Sequence, residues 1–325
     1  MKTISIVTGA RNEEGNVREL YERVRAAMTA AGPYLYEHIF IDNASTDRTV
    51  PILKAIASED PNVKLIVNAR NFGHVRSPIH ALYQAAGDAV ICVAANLKDP
   101  PEMLPEMIRA WEKGVSMVLA IKQSSGENPL MFRIRKFYYG TVRRLSSIET
   151  FENFTGFGLY DRQVVEIIKS IDDPYPYFRG LIAEIGLPHQ ELYYDQPARK
   201  RGKSKNNFYT LYDLAMLGIT NLSKVPLRAV TLSGFACAFG CIVVGMAYLV
   251  YKLLYWNRFS VGIAPLVIGI FFFSSIQLIS VGILGEYIGS IHTQVMRRPL
   301  VVERERINFE HPPGLPKALE PVPLK

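Results

Sequence analysis

Ile39-Phe40-Ile41-Asp42-Asn43-Ala44-Ser45-Thr46-Asp47 joins three kinds of sequence in one short stretch. An apolar, β-branched run ends on a carboxylate. Small polar residues follow, and Asp47 opens a helix-like segment that reaches Ser58. The pattern recurs along the first third of the chain. Ile4–Thr8, Val63–Val67 and Ala89–Ala94 are further strand-like runs, and Asn12–Ala30 and Ser77–Ala86 are helix-like. A fourth helix over Pro101–Lys113 leads to a fifth strand, Val115–Ala120. Strands alternating with helices at this spacing predict an α/β fold with a wound, mostly parallel sheet.

In such sheets ligands bind beyond the carboxyl ends of the strands. The polar segments sit there: Gly9–Glu14, Asp42–Asp47, Asn68–His74 and Asn96–Pro101. Each has a plain structural alternative. Asp42 could merely terminate a strand. Thr46, Asp47 and Asp99 could be helix caps, the last with proline in the first turn. Four such loops in register on one edge favour a shared site. Neither G-x-G-x-x-G nor G-x-x-x-x-G-K-[ST] occurs, so a dinucleotide enzyme or a P-loop NTPase lacks support.

The 325 residues carry a formal charge of +7, with 49% hydrophobic and 21% charged residues. That composition excludes disordered, collagen-like and disulfide-stapled classes. Cys92, Cys237 and Cys241 form no metal-binding spacing. The charge is uneven: residues 1–196 are nearly neutral, and most of the excess lies in residues 197–228. Ala229–Tyr251 and Ser260–Gly285 then contain no charged residue. Each exceeds the roughly 20 residues that cross about 30 Å of hydrocarbon. Basic residues flank the pair, and the link Lys252–Phe259 is short, which predicts both ends in the cytoplasm. Met1-Lys2-Thr3 runs straight into the first strand, so no signal peptide is expected. Phe208, Leu211, Tyr212, Ala215, Ile219 and Leu222 recur at helical spacing, as in helices lying on the inner leaflet or packed on the soluble domain. The expected organisation is a cytoplasmic α/β domain over 1–205 and amphipathic juxtamembrane helices over 206–228. A two-span anchor over 229–290 and a cytoplasmic tail over 291–325 complete it.

The chain resembles the family 2 glycosyltransferases of GT-A fold, and among them the membrane-anchored polyisoprenyl-phosphate glycosyltransferases. The matching residues are Asn12-Glu13-Glu14, Asp42–Asp47 against D-D-G-S-T-D, and Arg70-Asn71-Phe72-Gly73 against R-N-x-G. Asn96–Pro101 aligns with D-L-Q-D-P-P, and Arg199–Lys205 with the basic R-x-x-G-x-S-K signature. The resemblance implies transfer of one sugar, with UDP-glucose the default donor, from a nucleotide diphosphate to undecaprenyl or another polyisoprenyl phosphate. The setting would be the inner or plasma membrane, and packing through two short spans makes a homo-oligomer the expectation. It implies that Thr8, Ala10, Asn12 and Glu14 frame the base and ribose, with Asp42 hydrogen-bonding either. Arg70 and Asn96 would lie near the nucleotide or its phosphates.

One departure stands out. The family's D-x-D carboxylates hold Mg2+ or Mn2+, and the matching positions here are Ala94, Ala95 and Asn96, with Lys98 in place of the usual Gln. Hard cations favour carboxylate oxygens. Three explanations stay open: weak metal binding through Asn96, Asp99 and phosphate oxygens; Lys98 replacing part of the metal's charge; or lost activity.

A lipid phosphate is already anionic at neutral pH and needs little general-base help. The protein's tasks are therefore positioning and charge neutralisation, followed by one inverting displacement. Arg133, with Arg135 and Lys136 beside it, and Arg199, Arg201, Ser204 and Lys205 are the candidates for holding the acceptor phosphate. Non-specific attraction to anionic lipid would use the same residues. Lys98, Asp99 and Asp161 are the candidate catalytic residues. Asp161, in Thr155–Asp161, could orient sugar hydroxyls, assist the incoming phosphate, or cap the helix beginning near Arg162. Arg179 and Glu184 are further sugar-site candidates. A processive synthase is disfavoured, since neither Trp111 nor Trp256 follows Arg as in Q-x-x-R-W. A basic nucleic-acid binder is disfavoured because the positive charge abuts the apolar runs. A nucleotide-binding scaffold with a degenerate D-x-D remains the non-enzymatic alternative.

Overall fold

The computed structural model describes residues 1–124, 151–197, 216, 225–255, 263–296 and 298–309. These fall into two compact units: one holds the sheet and residues 298–309, the other the two long apolar helices.

The first unit is an eight-stranded sheet. Its strands are β1 (Thr3–Ala10), β2 (Leu35–Asp42), β3 (Val63–Asn68), β4 (Ala89–Cys92), β5 (Met117–Ser124), β6 (Phe154–Asp161), β7 (His189–Asp195) and β8 (Glu303–Ile307). They lie in the order β7-β5-β6-β4-β1-β2-β3-β8. β4, β1, β2 and β3 are mutually parallel, β6 runs against β4 and β5, and β8 runs against β3. The carboxyl ends of β1–β5 and β7 therefore share one edge with the amino ends of β6 and β8.

β1 and β2 are buried on both faces, and their apolar runs are interrupted by buried Ser5, Thr8, Glu37 and His38. Successive residues alternate between two cores. Ile4, Ile6, Phe40 and Leu65 pack against α1 (Val17–Ala31), α2 (Thr49–Glu59) and α4 (Leu104–Trp111). Val7, Ile39, Ile41 and Ile66 pack against α3 (Gly73–Gln84), α5 (Arg162–Ile171) and α6 (Phe178–Ile185).

β8 is absent from the sequence-based expectation, which left 291–325 as a tail. Its charged residues hold it to the edge: Lys54 pairs with Glu305 and His80 with Glu303, each at 2.6 Å. Asn308 Nδ2 donates to Ala57 O and Val63 O. Charge along an outer strand also guards it against pairing with a second chain.

The second unit contains α7 (Val225–Leu254) and α8 (Ile263–Val295). Both are long and apolar enough to cross a bilayer, with 18-residue windows of mean hydropathy reaching 2.0 and 1.3. Leu232, Phe235, Phe239 and Leu278 are exposed along them. The expected juxtamembrane helices over 206–228 lie outside the described residues except for helical Met216 and the start of α7.

Candidate functional site

The site edge is made by the loops after β1 to β4. The first two are zipped together. Asn12, with φ 52°, takes the left-handed conformation that Asn tolerates. Its N–H donates to Ser45 Oγ, and its Oδ1 accepts from Thr46 N, both at 2.8 Å. Glu13 N donates to Thr49 Oγ1, Glu14 N to Asp47, and Arg48 N to Glu14 Oε2. Asp47 also accepts from Thr49 N at the start of α2. Asp42 is fully buried and accepts from Ser45 N at 2.9 Å and from Ser45 Oγ. Burial raises its pKa, and the Ser45 hydrogen bonds oppose the rise.

Asn43 ties the second loop to the third. Its Nδ2 donates to Asn71 Oδ1 at 2.8 Å and to Gly73 O at 2.9 Å, and its Oδ1 accepts from Phe72 N and Asn68 Nδ2. Asn71 Oδ1 also accepts from Gly73 N. Asn43→Ala leaves Phe72 N–H without its partner, at a cost of about 1–3 kcal/mol for that buried donor. We expect a lower melting temperature for the purified protein; a wild-type value would contradict this role.

The fourth loop carries the departure from D-x-D. Val93, Ala95, Leu97 and Asp99 are buried, while Ala94, Asn96 and Lys98 are partly open. Asn96 Oδ1 accepts from Lys98 N at 3.0 Å. Asp99 accepts from Ala94 N at 3.1 Å and from Tyr194 Oη at 3.3 Å. Burial lifts Asp99 to about 6, against the pull of those hydrogen bonds and of Lys98 and Lys122. Asp99 is thus not a helix cap: its carboxylate turns back and closes its own loop. Tyr194 and Lys122, at the carboxyl ends of β7 and β5, complete this buried group. The sequence-based reading assigned roles to neither of them, nor to Asn43 or Asn71.

The donor set can be tested against a divalent cation. Ala94 has no ligating atom, Asn96 is engaged with its own loop, and both Asp99 oxygens accept hydrogen bonds. Among the described residues no three His, Cys, Asp or Glu side chains converge. These residues do not fit a carboxylate-built metal site.

Thr8 is fully buried, with Oγ1 3.0 Å from His38 Nε2, and burial alone pushes His38 down to about 3. Ala10 is buried, and its carbonyl accepts from Asn43 N. The side chains of Asn12 and Glu14 hold the first loop to the second, while Asp42 closes its own loop through Ser45. Arg70 is exposed and stacks on Phe72, with Cζ 4.0 Å from the ring centroid. Asp161 does not join the group. Its register partner is Ala89, at the opposite end of β4, because β6 runs antiparallel. There it caps α5 through Gln163 N and accepts from Trp111 Nε1 at 2.7 Å. Its capping alternative is therefore the one its contacts match. Arg133, Arg199, Arg201, Ser204 and Lys205 lie outside the described residues.

The wound sheet carries its polar loops on the carboxyl edge, where sheets of this kind bind ligands. The chain belongs to glycosyl transferase family 2, whose model matches residues 5–168, and is a glycosyltransferase. It is 34% identical over 297 residues to the SfII prophage-derived bactoprenol glucosyl transferase of Shigella flexneri, covering 91% of this chain and 96% of that one. It is 33% identical over 305 residues to the bactoprenol glucosyl transferase of Shigella phage SfV, covering 93% and 99%. Among solved structures, mannosyl-3-phosphoglycerate synthase from Rubrobacter xylanophilus aligns with a TM-score of 0.44 at 14% identity, covering 72% of this chain and 75% of that one.

Proposed function

We propose that the chain transfers one sugar, with UDP-glucose the leading donor, to a polyisoprenyl phosphate at the cytoplasmic face of a membrane. One observation carries the reading. Relatives named bactoprenol glucosyl transferase match over nine-tenths of the chain, a span that includes both apolar helices.

The chemistry suits the site. An oxygen of the lipid phosphate attacks the anomeric carbon as the bond from that carbon to the diphosphate breaks. The electron pair leaves with the nucleoside diphosphate, no proton moves, and an in-line attack inverts the anomeric centre. The chain must hold two anions and absorb the charge that builds on the leaving group. Lys98, on the open side of the fourth loop, supplies that charge. Asp99 fixes the loop through Ala94 N and Tyr194, as a positioning residue. Arg199, Arg201, Ser204, Lys205 and Arg133 are proposed for the acceptor phosphate.

The connectivity supports a membrane topology. β8 follows both apolar helices and pairs in the same sheet as the strands that precede them. That pairing supports an even number of crossings, with sheet and tail on one side. The positive flanks favour the cytoplasmic side. A homo-oligomer formed through the two spans is part of the same proposal.

Ala94 and Asn96 favour a second reading, a scaffold that binds the nucleotide sugar without turnover. A panel of labelled nucleotide sugars, incubated with purified full-length protein and undecaprenyl phosphate, separates the two. We expect label in the organic phase, greatest with UDP-glucose. Donor binding with no lipid-linked or hydrolysed product would favour the scaffold.

A further inference from the structure

We propose that Arg70, Arg76 and Arg298, gathered about Phe72, bind a phosphate group, and that this phosphate is carried by a lipid. The identity of that lipid rests on the function proposed above; the site itself rests on geometry.

Phe72 is buried at the end of the third loop. The Arg70 guanidinium lies 4.0 Å from its ring centroid and that of Arg76 5.5 Å, so two cations share one ring. Arg76 Nη2 donates to Pro299 O, fastening the tail beside the loop. That contact puts Arg298 in the same neighbourhood. Burial lowers the pKa of Arg76, and both Arg70 and Arg298 push it the same way against Tyr175.

Like charges held together disfavour one another unless an anion joins them. Among the described residues, none of the three forms an ion pair with a carboxylate, unlike Arg18, Arg23, Arg162 and Arg306. Arg76 Nε is buried without any hydrogen-bond partner, an uncommon state for a charged donor. A phosphate oxygen would satisfy it, and guanidinium forks suit phosphate geometry.

Two sources could supply the phosphate. A nucleotide diphosphate is one, since the third loop lies on the site edge. A lipid is favoured by Arg298, which follows the last residue of α8, Val295, by only three positions. A helix that crosses a bilayer ends at headgroup level, where basic residues meet lipid phosphates.

The test uses purified full-length protein and Arg76→Gln, Arg298→Gln, Arg76→Lys and Arg298→Lys variants. Binding of undecaprenyl phosphate, phosphatidylglycerol, UDP and inorganic phosphate is measured without turnover. We expect each Gln variant to weaken undecaprenyl phosphate binding about tenfold, as loss of a charge-assisted hydrogen bond would. UDP affinity should stay within about twofold, and each Lys variant should recover part of the loss. An equal loss for phosphatidylglycerol supports a lipid-phosphate site open to both lipids. Unchanged lipid binding in both Gln variants overturns the site. A loss confined to UDP assigns the arginines to the donor and overturns the lipid source. Arg298 is exposed and Arg76→Lys retains a donor, so the test stands even if Arg76→Gln misfolds. Lack of sugar transfer by wild-type protein would overturn the proposed reaction without touching this binding result.

Discussion

Lys98→Gln lowers kcat/KM for sugar transfer about a hundredfold or more, while chelators leave the wild-type rate unchanged. The reasoning begins with charge. As the anomeric bond breaks, negative charge builds on the leaving diphosphate, and removing one preorganised group that stabilises such charge costs roughly 10²–10³ in rate. The family's D-x-D positions hold Ala94 and Asn96, neither of which offers a carboxylate. The loop presents Lys98 instead, partly open and hydrogen-bonded through its backbone to Asn96. Lys98→Arg should retain more activity than Lys98→Gln, because the charge remains. Steady-state rates with and without EDTA check the account. Transfer lost on chelation and restored by magnesium or manganese, with Lys98→Gln near wild type, would contradict it.

Asp99→Asn removes a pH-dependence of stability that the wild-type protein shows between about pH 4 and pH 6. The folded-state pKa of about 6 lies above the ordinary carboxylate value of 3.8, with burial as the main cause. The folded protein therefore holds an extra proton within that window, and the contribution of Asp99 to stability declines as pH rises through it. The difference amounts to about 3 kcal/mol at neutral pH, from roughly 1.4 kcal/mol per unit. Asp99→Asn should thus be more stable than wild type near pH 7.5, its amide still able to meet Ala94 N–H and Tyr194. Asp99→Ala should be less stable than Asp99→Asn, because Ala94 N–H is left unpaired at a cost of about 1–3 kcal/mol. Transfer by wild type should also fall as pH drops through about 6, as the carboxylate that fixes the Lys98 loop takes up its proton. Melting temperatures of the three proteins across pH 4–8 check this; parallel curves for wild type and Asp99→Asn would contradict it.

Much of the fold was readable because its strands are β-branched runs separated by polar loops. Boundaries moved where local bonding overrode periodicity. The first helix was expected from Asn12 but begins at Val17, since residues 12–14 bond across to the second loop. The third was expected from Ser77 and begins at Gly73, running through Pro78. β8 was hidden by its charge: Glu303-Arg304-Glu305-Arg306 has no apolar alternation to mark a strand.

The site was legible as four loops in register but not as a set of inward-pointing groups. Sequence alone could not distinguish side chains that meet a ligand from those that hold a loop. Asn12 and Glu14 are engaged with the neighbouring loop and Asp42 with its own, while Asn43, Asn71 and Tyr194 do structural work without a chemical signature. Asp161 takes the capping alternative, at the far end of β4, for a topological reason. An aspartate at the end of a strand faces the site only if that strand runs with the sheet, and β6 runs against it.

The most direct test is the intact mass of the lipid after wild-type protein has been incubated with undecaprenyl phosphate and UDP-glucose in the presence of chelator. The account predicts a gain of one hexose per lipid, dependent on enzyme and donor. An unchanged lipid mass in protein that still binds UDP would contradict it.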